Sequence, residues 1–390
     1  MSLFIEFHLI QNFAPSNLNR DDTGAPKDAV FGGYRRARVS SQCFKHAIRK
    51  WFSQSGLVAP ELLGTRTRQL HRLVEDELRA LGLTDSTRFN EIIKLCLKKK
   101  SAKKDAAGDD RGEDEQESES VLSYLLFISP REINALKSVL TEHTGSIKTL
   151  AAKKKLKASD VPDVLKKSVR DCMTHLKAVD IALFGRMLAD LPEVNQDAAC
   201  QVAHAISTHR VEREFDYFTA VDDKGGPDET GAGMIGQVEF NSATFYRYAV
   251  IDSHKLLENL QGDKDLTLLA VEAFVQAAVR AIPTGKQNTF AAHNPPSFVG
   301  TVIRHGGPLN LANAFEKPIA AKQDKSLTTL SVEALTNYES QLATVYADGG
   351  DAWGYIDLTG SWPKEKGKSH ADLAALSAWV KEQVALQLEA

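Results

Sequence analysis

Five segments constrain this chain most, because along its 390 residues they alternate strand, helix, strand, helix, strand. Residues 2–10 are apolar at nearly every position, the pattern of a central strand buried on both faces. Ser40 or Ser41 caps a helix to about Phe52, whose Phe44, Ala47, Ile48, Trp51 and Phe52 share one apolar stripe. Thr244 to Ile251 (TFYRYAVI) is β-branched and aromatic and reads as a strand. Thr267 to Ile282 is an amphipathic helix ended by Pro283, and Ser297 to Arg304 is a strand again. This succession predicts a βαββαβ unit, an α+β fold with an antiparallel sheet, whose halves are separated by most of residues 54–243.

The separating material has its own texture. Residues 66–97, 121–143 and 160–177 carry helical periodicity, with a lysine-rich AAKKKLK between the last two. Residues 98–120 (KKKSAKK, then DAAGDDRGEDEQESES) lack the apolar surface that would repay ordering and read as a solvated insertion. Gln11 to Ser40 reads as loop, punctuated by Pro15, Asn17, Asn19, Gly24, Pro26, Gly32 and Gly33. Val179 to Phe184 is a short apolar run read as a strand leading into Gly185-Arg186-Met187. Val211 to Asn241 is too long for a structureless loop in a compact domain and reads as a projecting hairpin. Helices are expected at 331–346 and 369–388.

Several function classes are excluded or disfavoured. No apolar stretch reaches the roughly 20 residues a membrane helix needs. MSLFIEFHLIQNF has no basic n-region or cleavage site, so a cytoplasmic protein is expected. Cys43, Cys96, Cys172 and Cys200 lie far apart without CxxC spacing, which argues for reduced thiols and against a zinc ribbon. No P-loop, Rossmann or nucleophile-elbow fingerprint occurs, and no cofactor or enzymatic chemistry is expected. Asp21-Asp22 and Asp222-Asp223 read as solvated loop acids, and His204 and His209 are wrongly spaced for one helical metal face.

Net charge is only −3, so a polyanion site has to come from local clustering. Residues 27–50 provide it: Lys27, Arg35, Arg36, Arg38, Lys45, Arg49 and Lys50 face a single acid, Asp28. Gly32 and Gly33 permit close backbone approach, and the helix start at Ser40-Ser41 presents free N–H groups to phosphate oxygens. A solvated basic helix face is the plainer reading of the same residues. Met187 and Phe218 read either as core or as apolar wedges between bases.

The blocks LNRDD (18–22), KDAVFGGYRRARVSSQ (27–42) with Lys45 and Arg49, VDIALFGRM (179–187), AHAISTH (203–209), DYFTAVDD (216–223), FYRYAVI (245–251), GKQNTFAAHNP (285–295) and LANAFEKP (311–318) stand in a telling order. They resemble the guide-RNA-binding backbone subunits of type I-E CRISPR Cascade, the CasC family. The resemblance departs at 98–120 and is slight over 350–390. It implies a modified RRM-like (ferredoxin-like) palm at 1–55 and 178–350, helical fingers at 56–177, a β-hairpin thumb at 211–242 and a helical C-terminal segment at 351–390. It further implies a non-enzymatic subunit, about six copies of which polymerise helically along a crRNA. Other Cascade subunits, the paired target DNA strand and a recruited helicase-nuclease would be its partners, with no membrane. RNA contacts are implied for Arg20, Lys27, Ser41, Gln42, Lys45, Arg49, Arg186 and Lys286. Met187 and Phe218 would pack beside every sixth, displaced nucleotide. The alternative is a metal-dependent target-RNA endoribonuclease, as in type III backbone subunits, using Asp22 or Asp28. A third reading is an RNA-binding module that never assembles.

Overall fold

A computed structural model describes residues 3–83, 85–97, 125–174, 177–188, 192–220, 234–346 and 351–389. Along the chain come β1 (Phe4–Ser16), β2 (Asp28–Phe31), β3 (Tyr34–Val39) and α1 (Ser41–Ser55). Then follow β4 (Thr65–Thr67), α2 (Leu70–Leu73), α3 (Glu75–Ala80), α4 (Ser86–Leu97), β5 (Leu126–Ile128), α5 (Pro130–Glu142), α6 (Thr144–Ala151), α7 (Asp163–Cys172) and α8 (Val179–Phe184). The next elements are β6 (Cys200–Val202), β7 (Ala205–Ser207), β8 (Glu214–Ala220), β9 (Met234–Asp252), α9 (Ser253–Asn259), α10 (Lys264–Arg280) and α11 (Gln287–Phe290). The last are β10 (Phe298–Arg304), α12 (Leu327–Tyr346), β11 (Ala352–Asp357), β12 (Lys368–Ser369) and α13 (Leu373–Glu389). Two compact units result: Met1–Leu57 with Cys200–His254 and Thr267–Ala390, and Val58–Ala199 with Lys255–Leu266. The sequence reading set these divisions at 55/56 and 177/178. The charged stretch 98–120 and the tip of the 211–242 hairpin lie outside the described residues.

The first unit is α+β. Its sheet runs β12-β11-β10-β1-β9-β7-β3-β2, with β6 and β8 also paired to β9. The order β10-β1-β9-β7 places the first strand between the last and the third, as a βαββαβ unit requires. β1 is central, antiparallel to both β9 and β10. One layer of core joins Phe13, Val39, Phe44, Ala205 and Phe245 beneath α1, and another joins Ile10, Tyr246, Phe298, Phe315, Val332 and Leu335 beneath α12. Covering on both faces explains why β1 is apolar at consecutive positions. The exceptions, Glu6 and His8, are fully buried: Glu6 accepts from Arg304 at 2.9 Å and from Tyr248 OH at 3.0 Å. His8 Nδ1 lies 2.9 Å from Tyr246 OH, while its Nε2 stands 3.5 Å from Glu6 Oε2 without a hydrogen-bond partner among the described residues.

Two expectations are corrected here. Gln11 to Ser40 is not all loop, because β2 and β3 form a hairpin across Gly32-Gly33. Both glycines have positive φ (58° and 82°), as a two-residue primed turn demands, so the Phe-Gly-Gly-Tyr step was a hairpin signal. Residues 351–389 are not helical throughout, since β11 pairs with β10 before α13 begins.

The second unit is helical. α2, α4, α5 and α7 close over Leu70, Phe89, Ile92, Ile93, Leu136, Leu140, Leu165 and Val169. α5 opens on a full capping box, with Ser129 accepting from Glu132 N and Glu132 Oε2 accepting from Ser129 N. Val179–Phe184 is a helix, not the expected strand; all six residues are buried, and an apolar run buried all round shows no period that separates the two. Asp180 anchors it by accepting Gly64 N at 2.7 Å. Among the described residues no helix is long and apolar enough to cross a membrane.

Candidate nucleic-acid interface

The site of the first unit is assembled by the loop from Asn17 to Lys27. Asn17 Nδ2 donates to the carbonyls of Gly24 (3.0 Å) and Glu239 (2.9 Å), fixing the loop against β9. Asp21 closes its tip, accepting from the Thr23 hydroxyl (2.7 Å) and the amides of Thr23 (2.9 Å) and Ala25 (3.1 Å). The Thr23 hydrogen bonds hold the Asp21 carboxyl below its ordinary value. Arg20 bridges Pro26, and Lys27 N donates to Asn19 O at 2.8 Å, so Arg20 and Lys27 stand on one narrow turn.

Asn19 Oδ1 accepts from Ser40 N (2.9 Å), joining this turn to the start of α1. Ser40 caps that helix through Cys43 N, and no acid lies in its first turn, which leaves the positive end of the dipole uncompensated. Ser41, Lys45 and Arg49 follow at i, i+4 and i+8 and share a face, with Gln42 beside them. The buried stripe is Phe44, Ala47, Ile48 and Phe52. A third segment arrives from residues 283–294. A Cβ at Gly285 would lie 2.3 Å from Leu18 O, so only glycine lets this loop seat on the first one. Lys286, next in sequence, adopts φ 49°. Arg20, Lys27, Ser41, Gln42, Lys45, Arg49 and Lys286 thus stand on three segments tied to one another.

The remaining arginines of 27–50 serve the fold. Arg36 is fully buried and donates to Ser207 O (3.0 Å), Phe315 O (2.7 Å) and Glu316 O (3.0 Å). Arg35 pairs with Asp28 at 3.5 Å, and Arg213 holds both Asp28 (2.9 Å) and Glu239 (3.2 Å) at the hairpin base. Arg38 Nε donates to Asp28 O (3.1 Å), and its Nη1 lies 3.0 Å from His204 Nδ1. Burial, helped by Arg38 and Lys27, pushes the His204 imidazole down. His209 accepts from Thr244 N at Nε2 (3.1 Å) and, as that tautomer requires, donates from Nδ1 to Arg210 O (2.8 Å). Asn17, Asn19, Arg213 and Gly285 were missed by the sequence reading. Asn17 and Asn19 in the turn and Gly285 at the head of GKQNTFAAHNP were the nearest signals for three of them.

Arg186 requires a correction. Its side chain is 1% exposed and pairs with Glu132 at 2.7 Å, with further donation to Met173 O (2.7 Å), Val194 O (3.0 and 3.2 Å) and Phe127 O (3.3 Å). No donor is left for a phosphate. Met187 beside it is 82% exposed, which removes the core reading. Its neighbours are pinned: Arg186 pairs with Gln196 through both backbone groups (2.9 Å each), and Leu188 N donates to Asn195 Oδ1 (2.6 Å). Phe218, in the first unit, is 41% exposed and lies over Gly236, its cross-strand partner on β9. The four cysteines are free thiols, pushed up by burial to about 11 at Cys43 and Cys172 and about 12 at Cys96 and Cys200.

A family model described as CT1975-like protein matches residues 5–382. A solved chain described as "CRISPR RNA-guided surveillance complex, pre-nicking" is 31% identical, with a TM-score of 0.83 over 98% of this chain and 100% of that one. A second, "CRISPR RNA-guided surveillance complex", is 27% identical, with a TM-score of 0.72 over 97% and 99%. No curated protein matches the sequence.

Proposed function

The chain belongs to the CT1975-like protein family, and from that premise we propose that it is a guide-RNA-binding backbone subunit of a CRISPR surveillance complex, of the type I-E Cascade kind. The observation that carries this reading is the convergence of Arg20, Lys27, the α1 N-terminus and Lys286 on one pinned turn, with Lys45 and Arg49 aligned along the helix. Fixed cations and backbone donors suit a run of phosphates and carry no base preference. Sequence is then read by pairing of the guide with its target strand. The subunit catalyses nothing in this reading. Copies of it line up along the guide, and a recruited helicase-nuclease cuts the DNA.

Phosphate binding has a measurable signature. Log affinity for single-stranded RNA should fall with log salt at about −0.7 per neutralised phosphate, giving a slope of several units. A flat response would overturn the groove. Periodic cleavage of complementary RNA on adding a divalent metal would instead favour the nuclease alternative. Against that alternative, Asp28 is already bound by Arg213 and Arg35.

The exposed Met187 and Phe218 act on the geometry of the guide rather than on its charge. Met187→Ala with Phe218→Ala should retain guide RNA and the salt slope but weaken capture of complementary DNA. Each base–aromatic contact is worth about 1–3 kcal/mol. Thermal melting should barely move, because neither side chain is buried. A large drop would return both residues to the core.

A further inference from the structure

Beneath the groove sits a charge that the fold alone does not explain. Arg247 is on β9 opposite Leu9 of β1, and it is 6% exposed. Its Nη1 donates to Gln11 Oε1 at 2.6 Å, and its guanidinium lies 4.0 Å from the ring centre of Phe44 in α1. Among the described residues no carboxylate pairs with it. Arg36, also buried without an acid, is held by three carbonyls, whereas Arg247 has one neutral amide and one ring face. Desolvation pushes the Arg247 guanidinium down to about 9, which still leaves it charged at neutral pH.

Its two contacts lead to two of the three segments that frame the groove. Phe44 belongs to the helix bearing Lys45 and Arg49. Gln11, having given its oxygen to Arg247, donates its Nε2 to Asn294 O at 2.7 Å, and Asn294 Oδ1 accepts from Ala14 N at 3.2 Å. Residues 283–294 carry Lys286. A buried charge without an ionic partner is unfavourable, and an apolar residue of similar shape is often as good or better for stability.

We propose that Arg247 is a positioning residue kept for the bound guide: it holds α1 through Phe44 and the Lys286 loop through Gln11, and its unpaired charge lies under the phosphates. Stability without RNA and affinity for RNA are then opposed at this one position. The inference rests on the groove reading above.

The test uses the full chain and a synthetic single-stranded RNA. Arg247→Met should melt at or above the wild-type temperature while its RNA affinity at low salt falls about tenfold, the loss of one poorly screened charge. Arg247→Lys should recover most of that affinity. A methionine variant that loses stability together with RNA binding would make Arg247 merely structural, and one that binds RNA normally would remove its role. Reversing Lys45 and Arg49 separates this inference from the groove reading. If that double variant still binds RNA, the groove itself is wrong; if it does not, the Arg247 result stands on its own.

Discussion

Arg186→Ala is expected to destabilise the helical unit by about 3–5 kcal/mol, because it leaves the buried Glu132 carboxylate without its counter-charge. Glu132 is fully buried, and its other oxygen is committed to the capping box that starts α5. Burial already raises the Glu132 carboxyl above its ordinary 4.5 while Arg186 pulls it back, so removing the arginine raises it further. A carboxyl with a raised pKa in the folded state gives stability that is present below the unfolded value and lost as pH rises. The variant's deficit should therefore be smaller near pH 4.5 and grow toward neutral pH. Melting curves of the two proteins across that range check it; a deficit that does not change with pH would mean that Glu132 is not the group left exposed to the loss. Glu132→Gln should also destabilise the unit, because both partners of Glu132 are donors, Ser129 N and Arg186 Nη1, and the amide keeps only one acceptor oxygen for them while leaving the buried guanidinium without an acid.

Lys45→Glu with Arg49→Glu is expected to abolish guide loading at moderate salt. Two attractive contacts become repulsive, and the salt slope of any residual binding should be shallower by about 1.4, twice the single-strand increment. The apolar stripe of α1 (Phe44, Ala47, Ile48 and Phe52) is untouched, so the melting temperature should change little. RNA co-purifying with the double variant at wild-type amounts would sink the groove. Collapse of the fold would show that these side chains pack rather than bind.

Much of this protein was determined by local pattern. The continuous apolar or β-branched runs at β1, β9 and β10 and the period-3.6 arrays at α1 and α10 predicted five of the six elements of the βαββαβ unit. Burial of both faces leaves an unbroken apolar run, and burial of one face leaves a repeat. The remaining strand, the three-residue β7, is too short to show either. The Ser40 cap and the α1 stripe were legible for the same reason. The tertiary structure alone decided which charges were available. Arg20, Arg36 and Arg186 are the same residue type in the sequence. Arg36 is consumed by carbonyls near residue 315 and Arg186 by Glu132, partners brought together by the fold across long sequence separations. The same holds for apolar residues: Met187 stands out at the surface although the residues of α8 just before it are buried. Periodicity records which side of a segment is covered. What covers it, and whether a cation beneath that cover finds a carbonyl, an acid or only a ring face, is set by contacts distant in sequence, where no repeat exists to be read.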